Sequence, residues 1–439
     1  MTMRPTELVI IAGGKGTRMA RVSGEVPKAL IPVDGRPVLQ HQLEAAARSG
    51  VRRVTIFAGF LADQIVDFVG DGRRFGLDVR VFVERAPLGT AGGLIGELDQ
   101  LDEHFLVVYG DILFDIDWMD MARFHLDRQA DMTLFVHSND HPHDSDLVET
   151  DADGRVRQIH SYPHPADRDF PNLVSAACYA IRRNALAPWR GVDGPLDFTK
   201  SIMRGLIEQR ARVFAYRSLD YAKDMGTPER LAHVESDLRG GRVHRAKAAP
   251  QPAIFLDRDG TLIEERGYLA DPDGVELIDG AAAALRRLRR AGYRLVVVSN
   301  QPVIARGEAS EADVDAINRR MEWELGKGGA FLDGVYYCPH HPDKGFPGER
   351  AELKVACDCR KPNIGMVERA CSELFVAREG SWVIGDQTRD IEMARRAGVR
   401  SVLVRTGHGG GDRSFGARPD FEAADISAAA DIILGTAKA

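Results

Sequence analysis

The chain has 439 residues, a hydrophobic content of 44%, a charged content of 28% and a formal net charge of -7. Such a length exceeds one ordinary hydrophobic core, so two domains are the simplest expectation, and the hydrophobic content excludes a largely disordered chain. The cations are spread along an acidic chain, which excludes a typical nucleic-acid or membrane-surface binder; with no apolar run of about 18 residues and no signal-peptide pattern, we expect a cytoplasmic protein that binds small molecules.

Two series of short apolar runs alternate with helix-length segments. The first series contains LVIIA, VTIFA, VRVFV and FLVVY, and the second contains AIFLD, RLVVVSN, SWVIGD and SVLVR. This alternation is typical of doubly wound, Rossmann-like α/β domains with parallel strands. The stretch RGGRVHRAKAAPQP between the series is polar and ends in prolines. We therefore predict one domain over residues 1-239, a linker over 240-251 and a second domain over 252-439.

A glycine-rich segment, IAGGKGTRM, directly follows the first predicted strand. Its glycines permit a tight turn whose N–H groups can hold phosphate oxygens, although such a turn alone is more often a plain strand-to-helix connection. Lys15, Arg18 and Lys28 bring three cations near the same turn. Three cations are enough to counter a triphosphate, so we predict nucleotide binding here.

Two carboxylates of the first domain are candidate metal ligands. Asp111 ends the run FLVVYGD, and a carboxylate at the carboxy end of a buried parallel strand points into the ligand crevice of such sheets. Asp224 in YAKDMGTPERL is the second candidate. Carboxylate oxygens are preferred ligands of Mg²⁺.

The ordered motifs IAGGKGTRM, VPKALIPV, LGTAGG, GD and DMGTPE resemble those of the sugar-1-phosphate nucleotidyltransferases. The resemblance implies a GT-A-like fold and an in-line attack of a sugar phosphate oxygen on the α-phosphorus of a nucleotide, with pyrophosphate leaving. It assigns Mg²⁺ binding to Asp111 and Asp224. Nucleotide binding is assigned to Gly13, Gly14, Gly16, Arg18, Lys28, Gly89 and Thr90.

Two segments depart from the pattern of this family. SYP, with Tyr162, stands where an EKP-type lysine usually contacts the sugar phosphate, and SAAC at 175-178 replaces an NAG-type sugar segment. A tyrosine cannot supply the missing positive charge. Either Arg155, Arg157 or Arg168 replaces that lysine, or this domain has become weak or inactive.

The second domain begins with AIFLDRDGT, in which Asp257 and Asp259 are two residues apart at a strand end. Side chains at this spacing leave the same face of the strand. One carboxylate can attack phosphorus and form an aspartyl-phosphate, while the other protonates the leaving oxygen and later activates water. By itself, such a segment is also compatible with a solvated turn.

Together with VVVSNQ, CRKP and VIGDQTRD, this segment resembles the haloacid-dehalogenase phosphatases. The resemblance implies a Mg²⁺-dependent phosphomonoesterase with Asp257 as nucleophile, Asp259 as general acid and base, and Lys361 stabilising charge. Ser299 and Asn300 are then the phosphate-binding candidates. The Mg²⁺ candidates are Asp257, Asp259 and Asp386, with Asp390 supporting the metal site from behind.

Four further side chains form a CxH…CxC set, namely Cys338, His340, Cys357 and Cys359. Three thiolates and one imidazole match tetrahedral zinc, and four protein ligands leave no open position, so we predict a structural Zn²⁺; incidental buried cysteines are the alternative. Such a zinc loop, with SNQPVIARG, resembles the capless branch that contains heptose bisphosphate and histidinol phosphatases. There Arg306 and Arg360 become substrate-binding candidates.

Two enzyme domains on one chain are an advantage when the product of one is the substrate of the other. A heptose bisphosphate phosphatase yields a heptose 1-phosphate, so we predict a bifunctional enzyme that removes a 7-phosphate and adds a nucleotidyl group, with GTP as donor by resemblance to heptose-1-phosphate guanylyltransferases. The alternatives are a histidinol-type phosphatase, or a phosphatase regulated by an inactive sugar-nucleotide-sensing domain. The expected partners are thus sugar phosphates and a nucleoside triphosphate, and the sequence does not reveal an oligomeric state.

Overall fold

The computed structural model describes residues 7-14, 26-151, 153-165, 168-244 and 249-436. The chain divides into two compact units. The first comprises Met1–His137, Val148–His160 and Val174–Ala248, and the second comprises Ser138–Leu147, Ser161–Leu173 and Ala249–Ala439. The second unit therefore includes two segments from the amino-terminal half of the sequence. Three nucleotide-site candidates, Lys15, Gly16 and Arg18, lie outside the described residues.

The amino-terminal half contains a large mixed sheet. The strands of this half are β1 (Glu7–Ala12), β2 (Pro32–Val33), β3 (Arg36–Pro37), β4 (Arg53–Ala58), β5 (Asp78–Val83), β6 (His104–Tyr109), β7 (Ile112–Asp115), β8 (Met132–His137), β9 (Leu147–Thr150), β10 (Val156–His160), β11 (Val174–Arg182), β12 (Val213–Arg217) and β13 (Tyr221–Asp224). The order β10-β9-β11-β6-β1-β4-β5 is extended by β8 and β12, while β2 pairs with β3 and β7 with β13. Strand β1 is parallel to β4 and β6, which confirms the predicted parallel core. The antiparallel pairing of β11 with β6 and β8 was not predicted.

Apolar side chains of these strands form the first core. Leu8, Ile10, Val54 and Ile56 are fully buried because alternate residues of parallel strands face the covering helices. The helices of this half are Val38–Arg48, Ala62–Val69, Gly92–Gly96, Trp118–Asp127, Arg204–Glu208 and Pro228–Arg239, with a π-helix at Phe198–Met203 and 3₁₀ turns at Lys28–Leu30, Arg73–Phe75, Leu98–Gln100, Pro142–Asp144 and Arg183–Trp189.

The carboxy-terminal half contains a six-stranded sheet of order β16-β15-β14-β17-β18-β19. Its strands are β14 (Gln251–Leu256), β15 (Arg294–Asn300), β16 (Gly334–Cys338), β17 (Val376–Gly385), β18 (Arg400–Val404) and β19 (Phe421–Ala423), and every pairing is parallel. All four runs predicted for this half are strands. The sheet thus confirms a second α/β domain.

Helices surround this parallel sheet. They are Ala281–Arg290, Pro302–Ala305, Glu311–Lys327, Gly365–Glu373, Thr388–Ala397 and Ile426–Thr436, with 3₁₀ turns at Pro272–Gly274 and Ala351–Leu353. The longest, Glu311–Lys327, begins at Ser310, which forms a capping box with Asp313. None of the helices in the described part of the chain is long and apolar enough to cross a membrane.

A short connection follows the first strand of the second sheet. Between Asp259 and the helix at Ala281, all of which is described, the only helical element is the 3₁₀ turn Pro272–Gly274, and the only strand pairing is through isolated bridges at Ile263. This stretch is therefore short and contains little regular secondary structure.

The histidine-rich segment from His137 to His164 contains regular secondary structure. It contains strands β9 and β10, and the apolar side chains of Leu147 and Val156 are buried. None of its histidines belongs to a group of three or more metal-ligating side chains among the described residues. Burial of a few apolar side chains was enough to order a segment that is polar on average.

Candidate active sites

The carboxy ends of β14 and β17 bring three buried carboxylates together. Ligand oxygens of Asp257, Asp386 and Asp390 all lie within 4.8 Å of one another. Asp257 directly follows β14 and Asp386 directly follows β17, and these strands are hydrogen-bonded neighbours. Asp390 joins them from the first turn of the helix Thr388–Ala397. The predicted crevice at the carboxy edge of the sheet is therefore occupied by acidic groups.

One ammonium group faces this acidic cluster. Lys361 Nζ lies 2.7 Å from Asp257 Oδ1 and 2.8 Å from Asp390 Oδ1, and its side chain is 1% exposed. Burial lowers the pKa of Lys361, but the charges of Asp257 and Asp390 outweigh burial and raise this pKa overall. The lysine is thus held as a cation beside the proposed nucleophile.

One ammonium group cannot neutralise three carboxylates, so the cluster keeps an excess of negative charge when all three are ionised. Burial raises the pKa of Asp257 to about 7, with Lys361 opposing and Asp390 adding to the shift. Burial, followed by the charges of Asp257 and Asp390, raises the pKa of Asp386 to about 8. Asp386 Oδ1 is also buried without a hydrogen-bond partner. An unsatisfied buried oxygen among repelling carboxylates is the arrangement that a divalent cation relieves.

Asp259 lies outside this cluster. Its carboxylate receives hydrogen bonds from Arg258 and Gln301. Ser299 accepts a hydrogen bond from Gln301 Nε2 at 2.7 Å. The Asn300 side chain instead holds the backbone of Lys361, because its Oδ1 accepts from Lys361 N at 2.9 Å and its Nδ2 donates to Lys361 O at 3.1 Å. Asn300 therefore positions the lysine loop.

The predicted zinc ligands converge. The Sγ atom of Cys359 lies 3.1 Å from that of Cys338 and 3.2 Å from that of Cys357, and 3.3 Å from His340 Nδ1. All four ligand atoms lie within 4.8 Å of one another. A hydrogen bond from Cys338 is the largest of the effects that lower the pKa of Cys359 to about 5. The same hydrogen bond raises the pKa of Cys338, so these two thiols share one negative charge until a cation ionises both.

If the four side chains bind zinc, replacing Cys357 by serine is expected to lower the zinc content by one ion per chain and to destabilise the second unit by about 2 kcal/mol or more, because a lost metal ligand weakens the closure of a long loop. A melting temperature lower by about 4–8 °C is the corresponding shift. Metal analysis and thermal unfolding measure both. The matched control is Cys371→Ser, which removes a half-buried cysteine outside the cluster; equal zinc content in all three proteins would disprove a zinc site.

The two predicted substrate arginines contact residues of the predicted zinc loop. The guanidinium of Arg306 is stacked between aromatic rings, with its carbon 4.1 Å from the ring centre of Tyr268 and 4.4 Å from that of Phe346. Arg360 Nη1 donates to the carbonyl of His340 at 3.0 Å. Stacking and this hydrogen bond limit the rotamers of both cations, which is a preorganised arrangement for an anionic substrate.

A second site lies at the carboxy end of β1. A Cβ atom added to Gly13 would lie 2.6 Å from Glu84 Oε2, so a larger residue there would have to displace the end of the Glu84 side chain. Gly14 follows with open space around it. Gly89, at φ 79°, passes so close to Leu196 that an added Cβ would lie 2.2 Å from its carbonyl oxygen. Of these two turns, the one at Gly89 is therefore a close backbone approach that favours glycine.

The two carboxylates predicted to bind Mg²⁺ in this half lie on adjoining segments. Asp224 pairs with Ile112 in the β7–β13 ladder, and Met225 N donates to Asp111 O at 2.9 Å. Each carboxylate holds a cation: Lys28 Nζ lies 2.8 Å from Asp111 Oδ2, and Arg230 Nη1 donates to Asp224 Oδ1 at 2.8 Å. The two carboxylates do not belong to any cluster of three or more metal-ligating groups among the described residues.

Thr90 is anchored by a residue that the sequence analysis missed. Its hydroxyl donates to Asp197 Oδ2 at 3.0 Å and accepts from Phe198 N at 2.9 Å. The other oxygen of Asp197 caps the π-helix Phe198–Met203 by accepting from two of its first backbone N–H groups. An aspartate directly before a helical stretch is the available sequence signal, because this residue type is favoured at helix N-caps.

The two segments that depart from the nucleotidyltransferase pattern have different environments. Tyr162 is 61% exposed and lies in Ser161–Leu173, a segment of the second unit. Ala177 has φ 52° at an irregularity in β11 between Ser175 and Tyr179. A non-glycine residue in this region costs about 1–2 kcal/mol. The SAAC segment therefore keeps a strained, glycine-like backbone shape.

Comparison with known proteins finds a matching family for each half of the chain. Residues 7–240 match the nucleotidyl transferase family, and residues 358–429 match the HAD-hydrolase-like family. The D-glycero-β-D-manno-heptose-1,7-bisphosphate 7-phosphatase of Salmonella typhi is 46% identical over 157 residues, which cover 36% of this chain and 81% of that protein.

Two solved structures are also similar to parts of the chain. HddC from Yersinia pseudotuberculosis is 23% identical, and the match covers 53% of this chain and 99% of that one with a TM-score of 0.47. The D,D-heptose 1,7-bisphosphate phosphatase from B. bronchiseptica, complexed with magnesium and phosphate, is 31% identical, with coverage of 42% and 99% and a TM-score of 0.37.

Proposed function

Because the chain belongs to the nucleotidyl transferase family through residues 7–240 and, in its carboxy-terminal half, to the heptose-1,7-bisphosphate 7-phosphatases, we propose that it is a bifunctional enzyme of nucleotide-activated heptose synthesis. It removes the 7-phosphate of D-glycero-D-manno-heptose 1,7-bisphosphate and then joins a nucleotidyl group, from GTP, to the resulting heptose 1-phosphate. The single observation that carries the phosphatase half is the buried cluster of Asp257, Asp386 and Asp390 with Lys361.

In the phosphatase reaction, a carboxylate oxygen of Asp257 attacks phosphorus and the bond from phosphorus to the C7 oxygen breaks. Asp259 gives the leaving oxygen a proton. Lys361 neutralises charge on the phosphoryl group, since its ammonium group is fixed within 2.7 Å of Asp257. Water, deprotonated by Asp259, then hydrolyses the aspartyl-phosphate and restores Asp257.

Asp257 and Asp386 are the residues that would hold Mg²⁺, with Asp390 behind them. The unpartnered Oδ1 of Asp386 and the excess of buried carboxylates support this assignment. When bound, the ion neutralises phosphate charge and keeps the carboxylates ionised. The four convergent ligands at Cys338 and its neighbours suit a structural Zn²⁺. The short connection after Asp259 fits a capless phosphatase that uses the zinc loop as its substrate rim.

In the transferase reaction, an oxygen of heptose 1-phosphate attacks the α-phosphorus of the nucleotide and pyrophosphate leaves. The backbone at Gly13 and Gly14 cradles phosphate oxygens. Lys28, whose Nζ lies 2.8 Å from Asp111 Oδ2, contacts the triphosphate, and Asp111 and Asp224 would hold Mg²⁺, whose role is charge neutralisation. The anchored Thr90 supports the loop beside the base.

Mass analysis of products tests the whole proposal. Purified protein receives D-glycero-D-manno-heptose 1,7-bisphosphate, Mg²⁺ and the four nucleoside triphosphates in competition. We expect free phosphate, pyrophosphate and GDP-heptose. Heptose monophosphate alone would reject the transferase half, another nucleotide-heptose would reject GTP as donor, and unreacted bisphosphate would reject the heptose assignment.

Tyr162→Lys separates an active transferase from an inactive sensor. Tyr162 is 61% exposed and lies outside the first unit, so we expect the variant to transfer nucleotide within about threefold of the original rate. Tyr162→Phe is the matched control, and initial rates of pyrophosphate release are the measurement. A large gain by Tyr162→Lys from an almost inactive protein would instead favour the sensor.

A further inference from the structure

Both carboxylate oxygens of Asp259 are held by neighbouring side chains. Arg258 donates from Nη2 to Oδ1 and from Nε to Oδ2, each at 3.0 Å. This two-pronged pairing is the geometry in which a guanidinium best matches a carboxylate. Gln301 Nε2 adds a hydrogen bond to Oδ2 at 2.9 Å. Three donors therefore define one orientation of the Asp259 carboxylate.

The amide of Gln301 is also fixed in one orientation. Its Oε1 accepts from Arg258 Nη2 at 2.9 Å, and its Nε2 donates to Ser299 Oγ at 2.7 Å as well as to Asp259. A flipped amide would face each of these groups with the wrong polarity. Because Ser299 Oγ accepts from Gln301, its own hydroxyl hydrogen remains free to donate to a phosphate oxygen. Gln301 thus joins the phosphate-binding strand end to Asp259.

Stability does not explain this network. The Arg258 side chain is 1% exposed, and its Nη1 donates to Asn318 Oδ1 at 3.0 Å. Burying a guanidinium costs several kcal/mol of desolvation, and apolar replacements of buried ion pairs are often neutral or stabilising. A buried arginine directly after the nucleophile therefore indicates a requirement other than folding.

We propose that Arg258 and Gln301 are positioning residues that aim Asp259 at the leaving oxygen of the substrate; this inference rests on the phosphatase function proposed above. When the bond from phosphorus to the sugar oxygen breaks, its electron pair goes to that oxygen, which takes a proton from Asp259. The attacking water later returns a proton to Asp259, so the proton balance closes over one turnover. The side chains of Arg258 and Gln301 act through the Asp259 carboxylate, whereas the backbone N–H of Arg258 donates to Asp257 Oδ1 at 2.7 Å and is retained in Arg258→Lys.

Leaving-group dependence tests this role. A sugar alkoxide needs the proton from Asp259, whereas the p-nitrophenolate ion leaves without one. In Arg258→Lys and Gln301→Leu, we expect single-turnover dephosphorylation of the heptose bisphosphate to fall by about 10²-fold, within the usual range of general acid catalysis. The pre-steady-state burst of p-nitrophenol from p-nitrophenyl phosphate should fall by less than about threefold. An equal fall with both substrates would overturn the proposal.

Three further proteins sharpen this test. Asp315→Ala is the control on the same helix, Glu311–Lys327: its Oδ1 accepts from the hydroxyl of Tyr337 at 3.2 Å, so the ratio of the two rates should stay near that of the unmodified protein. Combining Arg258→Lys with Asp259→Asn should be no slower than Asp259→Asn alone, because a positioning residue acts only through its target; additive losses would overturn the inference. If Arg258→Lys does not fold, as judged by circular dichroism, Gln301→Leu decides the result. An unmodified protein inactive on the bisphosphate would reject the proposed function itself.

Discussion

Replacing Asp257 by asparagine is expected to lower phosphate release from heptose 1,7-bisphosphate by at least about 10⁴-fold, which is the scale of loss when a covalent nucleophile is removed. An amide oxygen is a far weaker nucleophile than a carboxylate oxygen. The substitution also removes one carboxylate from the Mg²⁺ candidates. Nucleotidyl transfer to preformed heptose 1-phosphate should be unchanged, because Asp257 belongs to the second unit. Separate assays of phosphate and pyrophosphate measure the two activities.

Folding and activity can be separated in the same variant. Asp257, Asp386 and Asp390 repel one another in a buried site, so Asp257→Asn should leave the melting temperature unchanged or raise it. Asp431→Asn is the matched control, because this aspartate is 66% exposed and only pairs with Arg287; both activities should persist. Substantial phosphate release by Asp257→Asn would show that another residue is the nucleophile.

Asp111→Ala is expected to have the opposite pattern, lowering nucleotidyl transfer by about 10³-fold or more while phosphate release stays normal. The substitution removes a Mg²⁺ candidate and also the partner that holds Lys28 Nζ at 2.8 Å. Without that partner, the lysine loses its fixed place near the triphosphate. Pyrophosphate release with heptose 1-phosphate and GTP is the measurement.

Asp115 supplies a control for Asp111. It ends strand β7, its side chain is 28% exposed against 24% for Asp111, and it also contacts basic side chains, namely Arg48 and His244. Asp115→Ala should therefore cost a similar amount of stability but retain transfer. Equal loss of transfer in both variants would mean that charge at this sheet end, and not metal binding by Asp111, sustains the reaction.

The two variants also test whether the halves work in sequence. A mixture of Asp257→Asn and Asp111→Ala proteins should form nucleotide-heptose from the bisphosphate, because the released heptose 1-phosphate can reach the intact transferase of the other protein. Neither variant alone should convert the bisphosphate into nucleotide-heptose. The mixed and unmodified proteins can then be compared for the time that passes before nucleotide-heptose appears.

The sequence by itself was enough for the features that depend on short stretches of chain. The runs LVIIA and AIFLD are strands β1 and β14, because apolar β-branched residues in short runs favour buried parallel strands. Residues directly after such strands had to meet at one sheet edge, and Asp257 and Asp386 do so. The spacing of the zinc set similarly limited its members to one loop.

Only the tertiary structure decided which partners these residues have. Asp390 reaches Lys361, Asp197 anchors Thr90, and Gln301 holds Asp259, although each pair is separated by many residues in the chain. The assignment of Ser161–Leu173 to the second unit also depends on contacts between residues that are far apart in the chain. Such pairings depend on the register of the strands and on which buried polar group lacks a partner, and both are properties of the whole packed domain that no local pattern records.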